Sequence, residues 1–351
     1  MTFKQLWHLA IFRPWLTLSV VALWLIYSLS PALAGLLTKR IFDALTGNAV
    51  ISFNIWMLVL LLLVVELGAV GLLVGWYHAH NVMWQTLEHL IRRNVFQWLL
   101  EKSDISVSKM SPGETVNRLG HDTELALDPL NEWYRVLGDA LFAVIAFIIM
   151  VQISPFITIA AIVPLGIIVV SMHMLGARLE QYRAASRQAA EQVSKFIGEM
   201  FGAVQAVKVV GAEAAVVGRF RKINDTRHRT ALKDAVFNSF IASYYNHITT
   251  ISIGVILLLG ASAISDGDFT IGDFALFVLY LEWMMDFPRR VGRVMVANKL
   301  SKVSTGRLDG LLSGQADPVL TAHQPVYLDG TLPQVEFQPK GSNDRVISFA
   351  R

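Results

Sequence analysis

The stretch Arg178–Asp234, RLEQYRAASRQAAEQVSKFIGEMFGAVQAVKVVGAEAAVVGRFRKINDTRHRTALKD, decides the fold. It carries eleven Lys/Arg and six Asp/Glu, yet Ala140–Ala177 before it and Ala235–Ser265 after it carry none. Within the stretch Val193, Ile197, Met200, Val204, Val207 and Gly211 recur in alternating steps of four and three, the pattern of a packed helical seam. Gly211 is the first strong break. At 1.5 Å per residue, Ala177 to Gly211 runs on the order of 50 Å as one helix. The spacing therefore predicts two membrane helices that continue far into water and meet at a tip around Gly211–Arg219.

Working outward, the composition agrees with a membrane protein. Hydrophobic residues make up 54%, charged residues 16%, and the mean hydropathy is +0.49, too apolar for an ordinary soluble domain. The net charge is only +3 and the Lys/Arg are clustered, which argues against nucleic-acid binding and for a membrane topology set by basic loops. There is no Cys, so disulfide and thiolate chemistry are excluded. The His residues show no metal-like pairing, and no nucleophile with a base and an orienting group can be assembled.

Thr2–Arg13, ended by Pro14, places Phe3, Leu6, Trp7, Ala10 and Ile11 on one helical face and reads as an interfacial helix over residues 1–14. Trp15–Leu37 is the first span and Ala49–Tyr77 the second, interrupted only by Glu66. A second polar arm, broken at Ser111-Pro112-Gly113, follows and returns through Arg118, Asp122, Glu132 and Arg135. Ala140–Ala177 is long enough for two spans, with a hairpin at Ser154-Pro155. A fifth span lies in Ala235–Ser265 and a sixth begins near Phe269, leaving the membrane from Arg289. The first arm carries six Lys/Arg and the second eleven, against only Lys39 and Arg40 in the opposite loops, so arms and termini are expected in the cytosol. Gly314–Lys340 is polar and broken by Pro and Gly, and reads as a linker.

Three patterns resemble the transmembrane domain of ABC exporters with six helices and long intracellular loops. Gly113-Glu114-Thr115-Val116-Asn117-Arg118-Leu119 followed by Asp122 is similar to the first-loop pattern of that family. Gly202, Val204, Val207-Lys208 and Gly211-Ala212-Glu213 resemble the run before its second coupling helix. Gly267–Asp273 looks like its loop into the sixth helix, and Arg307-Leu308 sits where such domains end. The resemblance implies an all-α membrane fold over residues 15–316 that forms a substrate pathway for a small molecule, lipid or peptide. It also implies a second half, identical or different, and nucleotide-binding domains that use ATP and Mg. Ser111, Pro112, Gly113, Glu114, Gly211, Ala212 and Glu213 are the expected contacts to those domains, with short helices across the tips at about Val107–Glu114 and Ala212–Arg219. A bacterial inner membrane is the expected location.

No G-x-x-x-x-G-K-[ST] occurs, so the ATPase is expected on a separate subunit or on a domain missing from this chain, of which Pro333–Glu336 is the candidate first strand. Leu312-Ser313-Gly314-Gln315 resembles an ABC signature superficially and reads better as a helix with a Gly C-cap. The alternative function is a non-transporting membrane scaffold or sensor that uses the same arms for docking.

Four further residues are candidates for the pathway. Glu282 and Asp286 lie at i and i+4 of the sixth span, Trp283 stands beside them, and Glu66 lies at comparable depth in the second. An acid there costs roughly 3 kcal/mol and needs a partner or a wet cavity. Arg289 and Arg290 are local partners for Asp286, whereas Glu282 has no basic residue at i+4. Glu282, with Asp286, is expected to face a central cavity and to favour cationic, amphipathic substrates.

Overall fold

The structure, a computed structural model, describes residues 1–47, 54–101, 111–312, 314, 316–324 and 326. Val107–Met110, Ser313, Gln315 and Pro333–Glu336 lie outside them. Among the described residues there are helices and no strands. In chain order these are α1 (Phe3–Ala10), α2 (Pro14–Leu45), α3 (Ile55–Glu101), α4 (Pro112–Asn117), a π-turn (Arg118–Asp122), α5 (Thr123–Ile153), α6 (Pro155–Val210), α7 (Glu213–Asp266), α8 (Ile271–Met284), α9 (Asp286–Leu311) and α10 (Ala316–Leu320).

Local chemistry sets the breaks. Ser154 caps α6 by accepting from the Ile157 amide, with Pro155 in the first turn, where its missing N–H costs nothing. The 56 residues of α6 end at Gly211, whose φ of 66° ends the helix, and α7 then runs unbroken for 54 residues. The expected separate helix at Ala212–Arg219 is therefore absent: nothing after Glu213 stops propagation, and Gly218 is tolerated inside a helix. Past α9, Gly314 takes φ 79° and donates its N–H to the Asp309 carbonyl at 3.0 Å, the glycine stop read from the sequence.

Pro14–Leu45, Ile55–Leu100 and Gly113–Ile153 are each long and apolar enough to cross a membrane, and Pro155–Pro164 and Thr250–Asp266 are shorter apolar helical stretches. The helices divide into two compact units. One comprises Met1–Thr17, Ala79–Pro129 and the described part of Asn298–Arg351. Its core joins Leu6 and Leu9 of α1, Leu90 and Ile91 of α3, Leu127 of α5, Leu308 of α9 and Leu320 of α10. The face read from α1 splits, because Leu6 and Ala10 are buried while Phe3, Trp7 and Ile11 stay exposed, as lipid contact requires. Asn94 of α3 donates to the Ala322 carbonyl at 2.8 Å and fastens the chain after α10.

The other unit comprises Leu18–His78 and Leu130–Ala297. Phe142 and Met150 of α5, Ile157 of α6, Ile256 of α7 and Leu276, Phe277, Tyr280 and Leu281 of α8 form its core with Phe269. Within it α6 and α7 pack as a hairpin, with the Tyr182–Phe237 and Phe196–Phe220 ring pairs at 5.1 and 6.2 Å and Arg183 bonded to Asn238. The seam is only half covered. Val193, Met200 and Val207 are partly buried, whereas Ile197 and Val204 are exposed; off the seam, Phe201, Val209, Val210, Val236 and Phe240 also stay open.

Candidate functional site

Helices α2, α3 and α8 border a partly open cavity of about 140 Å³ whose wall includes Tyr27, Ser30, Pro31, Glu66, Leu279 and Trp283. Pro31 shapes it. A proline inside a helix leaves the carbonyl four residues back without its N–H, here that of Tyr27. The Ser30 hydroxyl donates to that carbonyl at 2.8 Å and repairs the loss. A neighbouring cavity of about 160 Å³ shares Tyr27 and Trp283 and adds Trp24, Asp139, Asp286 and Arg290.

The second cavity borders a buried charge network. Arg290 of α9 donates to Asp139 of α5, lies 3.8 Å from Glu132 and stacks on Trp24 at 5.3 Å. Arg293 approaches Glu132 at 3.6 Å, and Arg135 lies 4.7 Å from the Trp24 ring and 5.4 Å from Trp76. Glu132, Arg135 and Asp139 sit at i, i+3 and i+7, so one face of α5 presents all three. Gly138 permits the approach, since a Cβ there would lie 2.8 Å from the Trp24 indole nitrogen.

At the other end of α2, Lys39 pairs with Asp273 of α8 and lies 4.0 Å from Asp43. Asp273 also forms a capping box with Thr270 at the start of α8. Gly267 ends α7 with φ 84°, and Phe269 is buried in the core. A Cβ on Gly272 would overlap Asp43 and the Lys39 carbonyl. The pattern Gly267–Asp273 thus has a local physical reason at nearly every position.

In the first unit, Ser111 caps α4 by accepting from the Glu114 amide, and Glu114 accepts from Arg118 at 2.6 Å. Arg118 also donates to the Arg307 carbonyl at 2.8 Å, and Arg307 lies 3.6 Å from Asp122, a carboxylate only 1% exposed. Two patterns far apart in sequence, Gly113–Asp122 and Arg307-Leu308, meet here across the π-turn, a feature that recurs at functional positions.

The pathway candidates are brought together only in part. Glu66 and Trp283 share the first cavity, and Trp283 and Asp286 share the second. Asp286 takes the local partner anticipated for it, Arg289, at 2.7 Å. Glu66 and Glu282 are both exposed, and Glu282 lines neither cavity. Of the tip residues, Ser111, Gly113 and Glu114 stand at the start of α4, and Gly211, Ala212 and Glu213 form the turn between α6 and α7. Pro112 occupies the first turn of α4. Sequence reasoning missed Trp24, Tyr27, Asp139 and Arg290 as lining residues. The i, i+3, i+7 spacing on α5 was the available signal.

Comparison with known proteins agrees with this architecture. The family described as the ABC transporter transmembrane region matches residues 11–286. Proteins of Staphylococcus aureus strains NCTC 8325, COL and Mu50, named as multidrug export ATP-binding/permease proteins, are each 25% identical over 193 residues. That match covers 55% of this chain and 33% of each relative, so the aligned stretch spans about a third of their length. A family match over well more than half of the chain, on long apolar helices that reach into polar hairpins, settles the class: this integral membrane protein belongs to the ABC transporter transmembrane region family.

Proposed function

We propose that the chain is the membrane-spanning half of an ATP-driven exporter that works as a pair of halves. The observation that carries this reading is the uncovered apolar surface of the α6–α7 hairpin. Phe201, Val209 and Val210 are 78%, 87% and 78% exposed on a stretch of helix that also bears the arm's charges. Side chains of this kind in water require a cover, and a second half supplies it. The partner is an identical or a related half. Cysteines placed singly at Phe201 or Phe240 of this Cys-free chain are expected to crosslink between two halves in membranes. A strictly monomeric pattern at every position overturns the pairing.

The arms, by this proposal, face the cytosol of a bacterial cell, with the termini on the same side, as the clustering of Lys/Arg supports. A nucleotide-binding domain would supply ATP hydrolysis with Mg and push on two surfaces, Ser111–Glu114 and Gly211-Ala212-Glu213. The Arg118 and Arg307 contacts give the first surface a direct mechanical path into α9. Replacing Glu213 or Gly113 is expected to uncouple hydrolysis from export in the reconstituted transporter while insertion stays normal. Unchanged export per ATP would remove these residues from the coupling role. Glu66, Trp283 and Asp286 line the proposed pathway, and Glu282, exposed on the isolated half, is proposed to turn toward its mate.

A further inference from the structure

The two neighbouring cavities differ in their charge balance. In the one bordered by Arg290, every acid has a basic partner: Asp139 with Arg290, and Asp286 with Arg289. Each acid that lines it is thus paired within the protein. In the other, Glu66 forms no ion pair among the described residues. Glu66 sits eleven residues into α3, about 16 Å along the helix axis from Ile55, amid an apolar span. Glu66 is exposed on this half, and an unpaired carboxylate at such a depth is costly and calls for a partner that the half itself does not provide.

The cavity specifies that partner. Its polar groups are the Glu66 carboxylate, the Tyr27 hydroxyl and the Ser30 hydroxyl, all able to accept a hydrogen bond. The Trp283 and Tyr27 rings offer π faces, which attract cations. Ala34, Ala69, Val70 and Leu73 complete an apolar wall suited to an alkyl chain. The volume, about 140 Å³, holds an ammonium head with small substituents and excludes a head built of several aromatic rings.

We propose that Tyr27, Glu66 and Trp283 form a binding subsite for a small ammonium head carried on an alkyl tail. It rests on the reading of this half as part of an export pathway, and it names the class of cargo that the pathway would select. Within this subsite the acid that selects charge is Glu66.

The chain in lipid nanodiscs, titrated calorimetrically with hexylammonium, tests this against empty nanodiscs as background. Hexylammonium is expected to bind at least about tenfold more tightly than neutral hexanol, and methyltriphenylphosphonium is expected not to compete. Glu66→Gln is expected to weaken hexylammonium about tenfold or more without changing hexanol, and Glu66→Asp to restore most of the loss. Trp283→Leu removes the aromatic face and is expected to weaken the ammonium about threefold or more. Equal binding of hexylammonium by the native chain and Glu66→Gln, or effective competition by the bulky cation, overturns the subsite. The titration needs no ATPase, so such a result leaves the exporter reading standing. Ammonium binding by a chain that fails to crosslink as a pair would sink the exporter reading and keep the subsite.

Discussion

Replacing Arg290 by methionine is expected to destabilise the folded chain by about 3–5 kcal/mol, the cost of leaving a buried charge without its partner. Arg290 is 5% exposed and is the direct partner of Asp139, with Glu132 3.8 Å away on the same face of α5. Methionine keeps the length and fills the space beside Trp24, so lost packing is small and the uncompensated carboxylate dominates. The double variant Arg290→Met with Asp139→Asn is therefore expected to regain a large part of the loss, because the stranded charge is removed with its partner. A polar contact between helices in a membrane is worth only about 0.6 kcal/mol on average, so the two accounts predict different sizes of effect. Thermal unfolding in detergent distinguishes them. A midpoint for Arg290→Met equal to that of the native chain shows that the network holds nothing together, and a double variant no better than the single one assigns the cost to packing.

That network also marks where the sequence stops being legible. Asp286 and Arg289 were readable as a pair because i and i+3 on a helix are neighbours whatever the tertiary fold. Arg290 stood equally near Asp286 in sequence, yet it reaches Asp139, 151 residues away. Choosing between those partners requires the rotation of α5 against α9, and a single chain's periodicity leaves that rotation open. The long hairpin was legible for the opposite reason. Two charge-free runs bracket a seven-residue apolar repeat, and Gly211 and Ser154 end or start helices through backbone chemistry that acts within a few residues.

The tips show the intermediate case. A glycine locates the end of α6, but only the absence of a second breaker tells that α7 begins at once and runs straight on, and Gly218 resembled such a breaker without being one. The acids Glu66, Glu282 and Asp286 stood out as a set because any carboxylate in an apolar run is conspicuous. Which of them line a cavity depended on neighbours from other helices, α2 and α8 among them. The patterns Gly113–Asp122 and Arg307-Leu308 were recognisable separately, while the contact between Asp122 and Arg307 needed the fold.

Gly35→Val is the second change with a large expected effect, about 3 kcal/mol of destabilisation, at the upper end of what overpacking a filled core costs. A Cβ on Gly35 would fall against the Tyr280 ring, with Cδ1 at 3.0 Å and Cζ at 3.2 Å. The ring has nowhere to go. Tyr280 is fully buried, its hydroxyl donates to the Ala32 carbonyl at 2.7 Å, and Phe142 closes on it edge-to-face at 5.7 Å. Moving Tyr280 therefore breaks a buried hydrogen bond as well as the packing between α2 and α8. Gly71 supplies the contrast, because nothing lies within 4 Å of a Cβ built there. Gly71→Ala is expected to be neutral or to stabilise by up to about 1 kcal/mol, the ordinary helical preference for alanine over glycine. The sign thus depends on the neighbour and not on the residue type. If Gly35→Val and Gly71→Ala shift the unfolding midpoint in detergent alike, Tyr280 does not lock α2 to α8. Tyr280→Ala in the Gly35→Val background then checks the mechanism directly: the valine's extra cost should largely vanish once the ring is gone.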